Sequence, residues 1–422
     1  MKTSLKPWIV VFSAALFFFY EFIQMNMISS LAPYLMHDFS IDATKLGNLT
    51  ATYFYSTILF LLPAGQILDR VSTRKVILVA LLICVLGTYC FAITTVFYLA
   101  KLSRLLTGIG SAFCFLSCIR LASRWFPNEK LALVSGLVVM MAMLGGTLAQ
   151  TPLTILIDYL GGNWRQAITI DAAIGLVFWV IIFFTVRDYP EGSEKTCDTD
   201  QKLLEDYGYW RAMQTSYLKW KNWLCGCYTS FMNLPIYLIG GGGFGSLYLE
   251  QVKHLSNLQA SFPPMMIFFG TVIGSPLAGW ISDVMRLRRL PMQIGAIISI
   301  MIMFILINTS ASLFMYAVLF FLLGLTSSTQ IISYPTVAES NPRIITATSV
   351  SVVSFTTLAG GAVFPSVFGY IMDKIGDFSI VNNIHVYTPR DYHVAMLIMP
   401  VMMIIALGVT FFIRETHCKS IG

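Results

Sequence analysis

Charge is what this sequence has least of. Of its 422 residues only 11% are Asp, Glu, Lys or Arg, against about 25% in an ordinary soluble protein. A soluble fold of this length needs far more polar surface, so a soluble enzyme and a disordered chain are both excluded. The sequence also lacks a C-x-x-C pair. None of its eight cysteines falls in a loop expected on the outer side, which argues against structural disulfides. The five histidines lie near loops and form no clustered ligand set. There is no glycine-rich nucleotide loop and no Ser/His/Asp set, so neither metal, cofactor nor enzymatic chemistry is expected.

What is present is apolar: 56% of residues, with a mean hydropathy of +0.73. A membrane β-barrel alternates polar and apolar positions and is milder in bulk. A transmembrane helix needs about 20 mostly apolar residues, and twelve such runs occur: 7–34, 47–67, 76–97, 98–123, 131–157, 166–186, 223–249, 258–281, 292–307, 313–335, 344–372 and 394–413. The ninth is the shortest. The first follows Lys2 and Lys6 but is too long for a signal-peptide core and has no cleavage site, so it reads as an uncleaved helix. With both termini in the cytoplasm, 19 Lys and Arg fall in inside loops and 6 in outside loops, as the positive-inside rule requires. The net charge of +6 therefore reflects topology, not nucleic-acid binding.

The longest polar stretch, 188–221, divides the spans six and six. A repeat crosses it. At an offset of 215 residues Pro127 aligns with Pro342, Gly145-Gly146 with Gly360-Gly361, and Asp158-x-x-Gly161 with Asp373-x-x-Gly376. At 214, Gly65-x-x-x-Asp69 aligns with Gly279-x-x-x-Asp283. The expected fold is an all-α membrane protein, twelve transmembrane helices in two pseudo-symmetric six-helix bundles: 1–187, a cytoplasmic linker 188–221, and 222–422. Two similar halves pivoting on one central site suit a secondary transporter.

The segment from Gly65 through Asp69 and Arg70 to Arg74 and Lys75 resembles the signature loop of the major facilitator superfamily, with Ser72 and Thr73 departing from its pattern. A weaker copy runs from Gly279 through Asp283 to Arg286, Arg288 and Arg289. Arg104-Leu-Leu-Thr-Gly108-Ile-Gly110 resembles the family's second motif. Below that level, Tyr53-Phe54-Tyr55-Ser56 with Leu62-Pro63-Ala64-Gly65 is similar to the phagosomal transporter group of intracellular bacteria. Ser123-Arg124-Trp125-Phe126-Pro127 and Trp164-Arg165 also recur in anion:cation symporters. The resemblance implies alternating access, with Arg104 in proton transfer. It places Asp69 and Asp283 at the cytoplasmic seam, where they cap a facing helix and latch one state with Arg70, Arg74 and Lys75. The Gly-Pro pair of the family's drug exporters is missing ahead of Gly145-Gly146, which tilts the reading toward uptake.

Ionisable groups inside the hydrocarbon cost roughly 2.5–3.5 kcal/mol on insertion scales unless paired or wet. Glu21 is mid-span in the first helix, with Gln24 three residues on. A carboxyl in a low-dielectric cavity favours its neutral form, so Glu21 is expected either to carry a proton across or to contact a cationic substrate group, or else to sit neutral and hydrogen-bonded between helices. Arg104 and Arg120, sixteen residues apart, face largely different directions. Arg120 either anchors a substrate anion or reaches the inner surface with Arg124. Asp171 is expected to be structural, paired with Arg165. In the second half Asn233, Pro235, Tyr237 and Gly240 to Gly243 suggest a bendable helix, and Gln330 with Tyr334 supplies neutral polar contacts. The expected activity is import of a small polar nutrient (amino acid, nucleoside or organic anion), proton-coupled, by a monomer in a bacterial inner membrane. Export of a metabolite, siderophore or drug is the alternative, and a non-transporting sensor the third reading.

Overall fold

The computed structural model describes residues 5–126, 128–190, 208–309, 312–342, 345–375, 379–381 and 384–418. Twelve spans are present. The first six are Lys6–Asn26 with Ile28–Phe39, Ala43–Arg70, Thr73–Ile93, Phe97–Ser111 with Cys114–Trp125, Asn128–Leu148 with Thr151–Tyr159, and Trp164–Thr185. The last six are Trp220–Met232 with Pro235–Gly240 and Phe244–Gln251, Asn257–Met285, Arg289–Asn308, Leu313–Ser327 with Ser328–Ile332 and Ser333–Glu339, Thr346–Ile375, and Pro389–Met396 with Ile398–Thr410. The ninth is longer than its sequence run, gaining a turn before Met292. Among the described residues ten helices are long and apolar enough to cross a membrane; the second span and the broken seventh are the two outside that set. Within the linker, Tyr209–Tyr217 is a helix, while 191–207 lie outside the described residues. A short antiparallel ladder, β1 (Ser379–Val381) with β2 (Ile384–Val386), joins spans eleven and twelve. An even number of spans puts both chain ends on one face, the terminal face.

Side-chain caps start the helices where the sequence offers them. Asp42 accepts from the Lys45 amide at 2.7 Å, and Ser256 and Gln259 close a capping box. Span seven breaks where Pro235 withholds an amide: Pro235–Gly240 is wound as a π-helix, and Gly243 turns the chain at φ +85°. The bend expected there is present.

The repeat is visible in packing. A Cβ on Gly108 would come 2.3 Å from the Tyr53 carbonyl oxygen, and one on Gly324 2.1 Å from that of Ile267. Glycine at equivalent places thus lets spans two and four, and spans eight and ten, touch through backbone. Carboxylates at the end of each half also cap matching helices. Asp188 accepts from the Ser72 hydroxyl and the Arg74 amide, and Glu415 from the Arg288 and Arg289 amides at 2.8 Å each.

The halves meet at the face opposite the termini. There Asp373 accepts from the Thr44 amide (2.9 Å) and hydroxyl, and the Tyr387 hydroxyl donates to Asp373 while accepting from the Ala43 amide. Burial, followed by the Asp373 carboxylate, pushes the Tyr387 hydroxyl well above its ordinary value, so it remains a donor. Ser29 bonds Ser246, and Asn257 bonds the Tyr34 hydroxyl. The apolar core agrees: one cluster joins Met27, Leu31 and Leu46 of the first half to Leu238, Phe268 and Phe368 of the second, while Val10, Ile77, Cys118 and Val186 belong to a separate cluster of the first half.

Candidate functional site

Three polar side chains from three helices, Glu21, Tyr53 and Arg104, meet at Tyr53. Its hydroxyl donates to Glu21 Oε1, and the Arg104 guanidinium lies over its ring at 4.9 Å. Arg104 is fully buried and Glu21 5% exposed. Arg104 Nη1 donates to the Gln24 carbonyl at 2.7 Å. Glu21 Oε2 and Arg104 Nε and Nη2 are buried without a hydrogen-bond partner. Unsatisfied polar atoms of both signs in one low-dielectric spot are costly. A fold that keeps them has binding capacity that its own side chains do not fill.

Gln24 works behind this spot. Its side-chain Nε2 donates to Asp171, and its side-chain Oε1 accepts from the Thr88 hydroxyl at 2.8 Å, tying span one to spans six and three. Asp171 therefore does not pair with Arg165, as had been expected. Arg165 instead sits 3.5 Å from Asp38 and stacks on Trp164. Their places explain the difference: Arg165 lies in the first turn of span six, while Asp171 points into the bundle core.

The second half supplies a neutral counterpart. Gln330 Nε2 donates to Asn233 Oδ1 at 2.6 Å, and the Asn233 amide donates back. At the 215-residue offset these positions correspond to Phe18 and Phe115, whose rings also touch, at 5.6 Å. One contact is thus apolar in the first half and polar in the second. Tyr237 packs its ring edge-on to Phe54 at 5.3 Å, and Phe54 packs on Tyr53 at 5.3 Å. An aromatic bridge therefore runs from Glu21 across the midline to span seven. Tyr334 lies half-buried in the third segment of span ten.

The remaining residues singled out from the sequence stand apart. Arg120 is half-buried, on the second segment of span four and away from Tyr53. Asp283 bonds Arg288 of its own half at 2.7 Å, not a helix of the other half. The Arg74 guanidinium reaches the Phe183 carbonyl and lies 5.1 Å over that ring, again within its own half. The side chains of Asp69 and Arg70, and the surroundings of Gly65, lie outside the described residues. Tyr53 was missed as a site residue. Its signal was a hydroxyl in the middle of span two, but nothing in the sequence aims it at Glu21, 32 residues away.

The profile of the Major Facilitator Superfamily matches residues 14–365 and 242–420. The phosphoglycerate transporter protein of Salmonella typhimurium is 23% identical over 84% of this chain and 81% of its own. The D-galactonate transporter of Escherichia coli is 24% identical over 81% of this chain and 84% of its own. The structure of a bacterial homologue of the human lysosomal transporter Spinster, inward-facing and unoccupied, superimposes with a TM-score of 0.79 at 19% identity, covering 97% of each chain. Twelve helices in two matched halves, a polar centre between them and this family match agree: the chain belongs to the Major Facilitator Superfamily, a family of membrane transporters and not of enzymes.

Proposed function

We propose that this transporter takes up a small organic anion together with protons, by alternating access, in a bacterial inner membrane with both termini cytoplasmic. The observation that carries the reading is the buried Glu21–Tyr53–Arg104 group with its unpartnered carboxylate and guanidinium atoms. Arg104 supplies a counter-charge for a carboxylate or phosphate, which a guanidinium grips through two parallel bonds. Glu21 is the proton carrier: neutral beside a loaded site, charged when the anion has gone. Asn233, Gln330 and Tyr237 face the cargo from the second half with neutral hydrogen-bonding groups. Arg120 serves the anion on its way past the terminal-face half of span four. Relatives named for phosphoglycerate and galactonate favour an organic anion over an amino acid or nucleoside.

The test is uptake into proteoliposomes after a pH jump, across sugar acids, phosphate esters, sulfonates, amino acids and nucleosides. Glu21→Gln should abolish proton-driven accumulation and retain exchange of cargo across a closed membrane. Full proton-driven accumulation by Glu21→Gln would refute Glu21 as the coupling group. Accumulation in everted but not right-side-out vesicles would reverse the direction.

A further inference from the structure

A second charged group lies far from the centre, on the terminal face between spans seven, ten and twelve. Lys219 and Lys221 flank the start of span seven, and Arg414 follows span twelve. Lys221 and Arg414 line one cleft with Asn222, Thr336 and Ser340. Lys219 donates its ammonium to the Ser340 carbonyl at the same place. Among the described residues no carboxylate lies within ion-pair distance of any of the three cations. The acids nearest in sequence are engaged elsewhere: Glu415 caps span nine, and Glu339 holds Arg288 at 2.6 Å. Burial, then the Lys221 and Arg414 charges, lower the affinity of Lys219 for its proton. Cations gathered without a counter-ion cost free energy unless an anion joins them.

The surroundings say which anion. Leu218 (82% exposed) and Trp220 (56% exposed) stand beside the lysines, and Phe411 and Phe412 stand exposed beside Arg414. Trp210, on the linker helix Tyr209–Tyr217, is exposed too, and that helix is fixed to span eleven by Ser216 bonding Ser349 at 2.9 Å. These apolar groups sit at helix ends, the level where a bilayer's headgroups begin and where tryptophan is favoured. A free anion would have no use for them, whereas a lipid places phosphate and acyl chain side by side. We propose that Lys221 and Arg414 at the mouth of this narrow cleft, with Lys219 beside it, hold the headgroup phosphate of an anionic phospholipid at the surface, with Trp220 and Phe412 against its acyl chains. The site is independent of the cargo, and basic pockets between spans are known headgroup receptors.

Native mass spectrometry of the full-length protein, delipidated and titrated with phosphatidylglycerol or phosphatidylcholine, tests this. Wild type should retain phosphatidylglycerol preferentially. Lys221→Gln with Arg414→Gln should weaken that retention by about five-fold per charge removed, while Lys253→Gln, on the opposite face, should leave it unchanged. Equal retention of both lipids by wild type would overturn the proposal and does not depend on any variant folding. Undiminished retention by the double variant would overturn it as well. So would thermal stabilisation by inorganic phosphate equal to that by the lipid, which would mark a free-anion site.

Discussion

Gln150 donates its side-chain amide to the Gly240 carbonyl at 2.7 Å, so the break in span five holds the break in span seven. Ser30 adds to the joint by donating to the Ala149 and Gln150 carbonyls at 2.8 and 2.9 Å. Three interrupted helices from both halves are thereby fastened at one level, beside the face where the halves close. A carbonyl freed by the π-helix finds its partner across the interface.

That bond should favour the state seen here. A net hydrogen bond is worth about 1 kcal/mol, roughly a five-fold shift in equilibrium. Gln150→Leu should therefore raise the labelling of Ser246→Cys by an impermeant maleimide several-fold in vesicles, since Ser246 lies in the closed seam against Ser29. Unchanged labelling would mean the bond is equally strong in both states.

The reciprocal Asn233–Gln330 pair allows function to be separated from folding. Asn233→Phe with Gln330→Phe copies the Phe18–Phe115 contact of the first half. Thermal stability should stay within about 1 kcal/mol, because buried polar pairs exchange for apolar ones at little net cost. Transport should fall at least about ten-fold, because the neutral hydrogen-bonding groups are gone. A stable, fully active double variant would remove these residues from the cargo path.

Arg288 and Glu339 stand, at the 215-residue offset, where the first half has Thr73 and Arg124. Contact persists in both halves, with Arg124 donating to Thr73 at 3.1 Å and Arg288 to Glu339 at 2.6 Å, but the charge has moved from one partner to the other. Arg288 is 7% exposed in its side chain and is held by both Glu339 and Asp283, so Glu339→Ala should cost about 1.5–3 kcal/mol by removing one of the two carboxylates that a buried cation bonds. Glu339→Arg should be worse still. Adding Arg288→Thr to Glu339→Arg rebuilds the first-half arrangement and should recover much of the thermal stability. The order of melting temperatures in detergent checks this.

Glu415 gives the terminal face a pH limit. Burial alone would raise its carboxyl, but the amides of Arg288, Arg289, His417 and Thr416 hold it below its ordinary value. A depressed carboxylate contributes stability above the ordinary range and loses it as pH falls through the folded value. The Arg288 and Arg289 amides should therefore be protected from hydrogen exchange at neutral pH, and their protection relative to the intrinsic rate should fall as Glu415 protonates in acid. Glu415→Gln should show the faster exchange at every pH.

Much of this was legible without coordinates. The apolar runs fix the spans, because a bilayer tolerates only internally bonded backbone. The Gly65–Asp69 and Arg104–Gly110 segments identify the family, and Glu21 and Arg104 stand out because charge in hydrocarbon needs a reason. The partner of Asp171 was not legible: Arg165 is six residues away in sequence, yet Gln24, 147 residues away, takes the carboxylate. Helical periodicity gives the direction of a side chain on its own helix. It does not say which neighbour the helix turns toward.

The sequence by itself determined the membrane setting, the duplicated six-helix plan and the scarcity of intramembrane charge, since each follows from local composition and spacing. Only tertiary structure decided that Tyr53 joins Glu21 to Arg104 and that Asn233 pairs with Gln330 in the other half. It also decided that Asp283 and Arg74 turn back into their own halves. Those outcomes depend on helix-to-helix packing, in which a few glycines set how closely backbones approach and thereby which side chains meet.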